Sequence, residues 1–137
     1  QRQMCIRDRA LPFKVNSLGY ISDTSTMVAA YSCADLFVIP SLEDNLPNTI
    51  MESMACGTPC VGFEIGGIPE MIDHRVNGYV ANYKDAGDLA NGIQWVLEHE
   101  DRLALSDACV KKVQENYTEE VVAKQYTALY GKLLKGE

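Results

Sequence analysis

Between Asp35 and Ala81 the chain switches between short unbroken apolar runs and stretches with helical spacing. Leu36-Phe37-Val38-Ile39 is continuously apolar, as a parallel strand covered on both faces requires; the strand is expected over Asp35 to Ile39, and Pro40 ends it. Pro47 or Asn48 suits a helix start, because Pro fits the first turn and Asn fits the cap. Gly57 stands where a helix end takes a left-handed residue, and Pro59 bars continuation. Cys60 to Phe63 reads as a second buried strand and Gly78 to Ala81 as a short third. Upstream, Phe13-Lys14-Val15-Asn16 alternates apolar and polar, which predicts an edge strand over 13–18. Asp23 can cap a helix whose apolar face is Met27, Ala30, Tyr31 and Ala34.

Downstream the period is helical throughout. Asp85 caps a helix with Leu89, Ile93, Val96 and Leu97 on one face. Leu103, Ser106, Val110, Val113 and Tyr117 mark the next. Thr118 caps the last, with Glu119 and Glu120 in its first turn and Lys132 and Lys135 near its end, both favourable to the helix dipole. Its stripe of Val122, Tyr126, Leu129 and Leu133 reads as core or domain-contact surface. The pattern is α/β: a Rossmann-like parallel sheet flanked by helices. Residues 1–9 fit no period and no motif, and are set aside as extraneous; 10–137 form one domain's worth of chain.

Net charge is −7 and no basic run occurs, which argues against nucleic acid as partner and against a polybasic membrane patch. No apolar stretch approaches the roughly 20 residues of a spanning helix, and no secretory signal is visible. Cysteines at 5, 33, 56, 60 and 109 have no metal or redox spacing; they read as small buried thiols in a reducing cytoplasm. His74 and His99 stand in unrelated contexts and read as surface residues.

The chemistry concentrates in residues 40–70. Asp44 and Glu52 lie eight apart, one on a loop at the carboxyl end of a strand and one inside the helix that follows. In open α/β sheets, ligands sit beyond the carboxyl ends of the strands. Carboxylates accept hydrogen bonds in pairs from vicinal hydroxyls and repel phosphate, whereas free N–H groups at a helix start attract it. The division that follows gives hydroxyls to the acids and phosphates to backbone N–H groups, as a phosphorylated, hydroxyl-rich ligand needs.

Pro40-Ser41, Asp44, Glu52-Ser53-Met54-Ala55-Cys56-Gly57-Thr58-Pro59 and Gly66-Gly67-Ile68-Pro69-Glu70 together resemble the donor-site signature of family 4 retaining glycosyltransferases, which have the two-domain GT-B fold. Leu18-Gly19-Tyr20, Ala34-Asp35-Leu36-Phe37-Val38, Asn77-Gly78-Tyr79-Val80 and Asp88-Leu89-Ala90 extend the likeness over about residues 13 to 100. Two departures stand out. Asp44 replaces the usual Glu, with Glu43 adjacent as a substitute, and Asn45-Leu46-Pro47 replaces Gly-Phe-Gly, so that one backbone N–H is lost at Pro47.

The resemblance implies that residues 10–137 are part of the C-terminal, nucleotide-sugar-binding domain of a cytoplasmic glycosyltransferase. Glu52 would hold the ribose hydroxyls, and Asp44, helped by Glu43, the hydroxyls of the transferred sugar. N–H groups of Asn45, Leu46, Asn48 and Thr49 would face diphosphate and sugar, and Gly66 and Gly67 would let the next loop approach. The donor would be a UDP-, GDP- or ADP-sugar and the acceptor a carbohydrate or a lipid-linked molecule, with any peripheral membrane contact left to the N-terminal domain. No metal is expected, since such enzymes neutralise the leaving diphosphate with an Arg and a Lys from an opening segment that finds no match before Leu11. A nucleotide-sugar epimerase or phosphorylase of the same architecture, or a binding fragment without turnover, are the alternatives. In that architecture two strands lie between segment 13–18 and segment 35–39, so either the two segments pair directly, closing the gap, or the sheet stays partly open and the chain associates; direct pairing is expected in the fold, with low stability and self-association in solution.

Overall fold

The computed structural model describes residues 12–135. Among these residues six helices and three strands follow in the order α1 (Thr24–Ser32), β1 (Phe37–Ile39), α2 (Asn48–Ala55), β2 (Cys60–Phe63), α3 (Ile68–Met71), β3 (Gly78–Ala81), α4 (Ala86–Leu97), α5 (Arg102–Asn116) and α6 (Glu119–Lys135). The strands form one parallel sheet in the order β1-β2-β3, with Val38 opposite Val61 and Val61 opposite Tyr79. Every residue of β2 is buried, as the unbroken run demands of a strand covered on both faces. One face carries Ile39, Ile50, Met54, Cys60, Ile68 and Cys109; the other carries Val61, Phe63, Tyr79, Val96 and Leu105.

The helix signals act through specific bonds. Asp23 accepts from Thr26 N at 2.7 Å, Asp85 from Asp88 N at 3.0 Å, Asp101 from Ala104 N at 2.9 Å and Thr118 from Val121 N at 3.4 Å. Gly57 has φ +77° beyond the end of α2; Gly57 N donates to Met54 O and Thr58 N to Ser53 O, so the last carbonyls of the helix are satisfied.

The expected strand over 13–18 does not form. Phe13, Val15 and Leu18 are exposed, no strand pairs with β1 on its far side among the described residues, and the direct pairing of 13–18 with 35–39 is absent. Two alternating apolar side chains are too little burial to offset about 1–2 kcal/mol of backbone ordering per residue, and Gly19 turns left-handed at φ +66°. The strand expected over 35–39 is shorter, Phe37–Ile39. On α5 Val113 and Tyr117 pack against the core and Ser106 and Val110 lie beside Gly57, as the expected stripe requires; Leu103 is exposed, and Leu105 and Cys109 are the buried positions. Leu97 on α4 and Tyr126, Leu129 and Leu133 on α6 are likewise exposed. Cys60 and Cys109 are buried, and burial pushes both thiols up to about 12; Cys33 is exposed and Cys56 half-buried, against the expectation of buried thiols throughout. His74 is exposed as expected and His99 half-buried. The extraneous reading of residues 1–9 lies outside the described residues.

The outer edge of β3 is occupied by the turn before it. Arg75 N donates to Gly78 O at 2.7 Å, and Val80 N donates to His74 Nδ1 at 3.2 Å. At the other end of β3, Asp88 accepts from Asn82 N at 2.7 Å, Asn82 Nδ2 at 2.9 Å and Tyr79 Oη at 2.8 Å. The Asn82 N–H, then the Tyr79 hydroxyl, hold its carboxyl below the usual aspartate range. A carboxylate with a depressed folded-state pKa stabilises fully above the unfolded value, about pH 4, and ceases to as acid titrates it. Asp88→Asn should therefore melt at a lower temperature than the parent at neutral pH, and the gap should narrow on acidification below about pH 4. Melting curves across pH check this; a gap independent of pH would contradict it.

Candidate functional site

The loops at the carboxyl ends of all three strands meet on one side of the sheet, and close backbone packing fixes their arrangement. Gly67 N donates to Asn45 O at 2.6 Å, joining the loop after β2 to the acidic loop after β1. Gly66 has φ +53°, and a Cβ there would run into the Asp44 carbonyl; one at Gly67 would meet the Asn45 carbonyl. The loop after β3 adds a third tie, from Tyr83 Oη to Leu42 O at 3.1 Å. The Gly-Gly pair thus seats the acidic loop itself, and through it the helix that follows.

Glu43 is exposed and Asp44 half-buried on this loop. Asn45 and Leu46 follow, both exposed, and the buried Pro47 is the residue from which α2 starts. Among the described residues no side chain caps α2, in contrast to α1, α4, α5 and α6. Ile50 N turns back to Pro47 O at 3.0 Å. The N–H groups of Asn45, Leu46, Asn48 and Thr49 donate to no other described residue, so the positive end of the helix faces outward with its donors free.

Glu52 lies on α2, about 6 Å along the axis from Asn48 at 1.5 Å per residue. Its side chain lines a cleft of about 350 Å³ between α1 and α2, with Ile21, Ser22, Asp23, Met27, Tyr31 and Cys56. Asp44 is not part of that wall, so the two acids occupy different places beside α2. Tyr31 Oη donates to Glu52 Oε2 at 3.2 Å. Burial, then the Glu52 charge, pushes the Tyr31 phenol up to about 12, so it stays protonated at neutral pH and faces the carboxylate as donor. Asp23 accepts from Thr26 N and from Ser25 Oγ, both at 2.7 Å. The Thr26 N–H, then the Ser25 hydroxyl, hold Asp23 below the usual range, so it is anionic at neutral pH. A cleft with a carboxylate on each wall and apolar Met27, Val28 and Ala55 between them disfavours phosphate and suits an uncharged, hydroxyl-bearing, partly apolar group.

Tyr31, Ile21 and Ser22 were not legible as site residues. The sequence pattern makes Tyr31 an apolar contact of α1; its one signal is a hydroxyl on a stripe otherwise made of Met and Ala. Among the described residues no cluster of three His, Cys, Asp or Glu side chains suits a metal ion. No helix among them is long and apolar enough to cross a membrane.

Gly66→Ala should lower stability by about 1–3 kcal/mol, since the added methyl meets backbone and the left-handed φ penalises it. Because the clash is with Asp44 O, amide exchange at Gly67, whose N–H donates to Asn45 O, should accelerate more than exchange in β2. A uniform change across the domain would show that the two loops are not coupled in this way.

The parallel sheet, the glycine-seated acidic loop and the uncapped α2 recur in known proteins. Residues 2–99 match the family "Glycosyl transferases group 1", a match that starts inside the segment set aside as extraneous. An N,N'-diacetylbacillosaminyl-diphospho-undecaprenol alpha-1,3-N-acetylgalactosaminyltransferase of Campylobacter jejuni is 32% identical over 120 residues, 87% of this chain and 32% of that protein. Sucrose-phosphate synthase of Thermosynechococcus elongatus superposes with a TM-score of 0.70 at 29% identity, over 85% of this chain and 29% of that one. Anabaena HepE in complex with UDP-glucose superposes with a TM-score of 0.62 at 26% identity, over 74% of this chain and 29% of that one. The chain spans about a third of the length of the curated relatives it matches. Its fold is that of part of a GT-B glycosyltransferase, and the chain belongs to the group 1 glycosyl transferase family.

Proposed function

We propose that this chain forms part of the donor-binding domain of a family 4 glycosyltransferase, transferring a sugar from a nucleotide diphosphate sugar to a carbohydrate or lipid-linked acceptor with retention at the anomeric carbon. The observation that carries the reading is Glu52: a carboxylate on the wall of a largely apolar cleft, inside the first turns of a helix whose start is uncapped. The nucleoside takes the cleft and its ribose hydroxyls take Glu52. The diphosphate cannot share the space between Asp23 and Glu52, so it lies toward the free N–H groups of Asn48 and Thr49. The sugar then meets the acidic loop, where Asp44, with Glu43 beside it, accepts from its hydroxyls and the N–H groups of Asn45 and Leu46 donate to it. Gly66 and Gly67 keep that loop in register with α2.

Two likenesses support this. Anabaena HepE has been solved with UDP-glucose, which is the kind of donor the cleft and the helix start suit together. The alpha linkage in the name of the Campylobacter relative is the product that retention gives from an α-linked donor. An epimerase or phosphorylase on the same fold gains no such support. The reading assigns no metal: the free N–H groups carry the diphosphate, with the remaining neutralisation left to other parts of a longer chain. Free thiols at Cys33 and Cys56 agree with a cytoplasmic site of action.

Glu52→Gln keeps the shape of the side chain but loses the charge that strengthens hydroxyl bonds. Titration calorimetry with UDP should show affinity reduced about tenfold, some 1.4 kcal/mol, with an unchanged melting temperature. Asp44→Asn should leave UDP binding alone and weaken UDP-glucose. UDP affinity untouched by Glu52→Gln would remove Glu52 from the nucleotide; damage by Glu43→Gln in place of Asp44→Asn would move the sugar contact one residue.

A further inference from the structure

We propose that Tyr31 is the positioning residue of this site: its hydroxyl holds Oε2 of Glu52 so that Oε1 faces the cleft, making the chain select ligands with an intact vicinal diol. The proposal rests on the reading of Glu52 as the ribose-binding acid.

Glu52 is exposed, and among the described residues its carboxylate has no side-chain partner except Tyr31. A free glutamate on a helix surface samples many rotamers, and fixing one of them on binding weakens affinity. Tyr31 removes much of that cost beforehand, because Tyr31 itself cannot wander. Its carbonyl accepts from Thr58 Oγ1 at 2.7 Å and from Ala34 N at 3.0 Å. Its ring packs edge-on against Phe37 of β1, with centroids 5.6 Å apart. Thr58 in turn stands just past the end of α2, where Ser53 Oγ donates to its carbonyl at 3.1 Å. The donor on α1 and the acceptor on α2 are therefore locked to each other at both main chain and side chain.

The phenol is bonded toward one oxygen only. Oε1 is left without a described partner, while Oε2 keeps a second lone pair. A cis-diol can then bridge the two oxygens of a carboxylate already turned to receive it, whereas a lone hydroxyl gains far less from that orientation. Tyr31 touches the ligand's partner and need not touch the ligand, so its effect should appear as discrimination between diol and deoxy forms.

The test compares UDP with 2′-deoxy-UDP by titration calorimetry on this chain, on Tyr31→Phe, on Glu52→Gln and on the double variant. Phe keeps the ring against Phe37 and the carbonyl bonds, and thermal melts confirm that the fold persists. Tyr31→Phe should weaken UDP about fivefold and 2′-deoxy-UDP hardly at all, and the double variant should be no weaker than Glu52→Gln alone. Equal losses for both nucleotides, or losses that add to those of Glu52→Gln, would make Tyr31 a packing residue and overturn the proposal. If Glu52→Gln abolishes the diol preference and Tyr31→Phe does not, positioning fails while the ribose reading survives. If Glu52→Gln leaves the preference intact, or none of UDP, GDP and ADP binds the parent chain, the reading beneath both fails.

Discussion

The approach of two backbones, Gly66-Gly67 against Asp44-Asn45, is the constraint from which the geometry of this end of the molecule follows. A hydrogen bond of 2.6 Å from Gly67 N to Asn45 O leaves no room for a side chain on either glycine. The acidic loop is short and is followed at once by Pro47, whose fixed φ starts α2. Fixing that loop therefore fixes where α2 begins, where its free N–H groups point, and how far along the helix Glu52 stands.

The far end of α2 is held by a different set of contacts. Gly57 terminates the helix in the left-handed region, Ser53 reaches forward to Thr58, and Thr58 reaches across to the Tyr31 carbonyl. These are neutral hydrogen bonds among buried groups, each worth about 0.5–1.5 kcal/mol net and each costly to leave half-made. Between the two ends lies the cleft that α1 and α2 enclose, so its width depends on backbone contacts and little on the exposed side chains at its mouth.

Much of this could be read from the chain. Leu36 to Ile39 and Cys60 to Phe63 are unbroken apolar runs, and no helix period competes with them. Gly57 and Pro59 mark one helix end, and Asp23 and Asp85 mark two starts, because each signal acts over three or four residues. What failed was of longer range. The alternation of Phe13 and Val15 carries the period of a strand but says nothing about whether a neighbouring strand is there to pair with it. On α5 Leu103 was read onto the buried face in place of Leu105 because the two are equally apolar, and only the packing against the sheet distinguishes them. The pairing of Tyr31 with Glu52 spans 21 residues and two helices, a separation at which sequence period carries no information. The residue types at the acidic loop were legible; that Glu52 lines a cleft with α1 from which Asp44 is absent was not.

The His74-Arg75 turn gives the sheet a direction of growth. It engages Gly78 O and Val80 N, so a strand arriving beside β3 would have to displace bonds already made. No such guard stands along β1 among the described residues, so the sheet is a one-sided template: a further strand, whether from the rest of a longer protein or from a second molecule, has its open seat next to Phe37–Ile39.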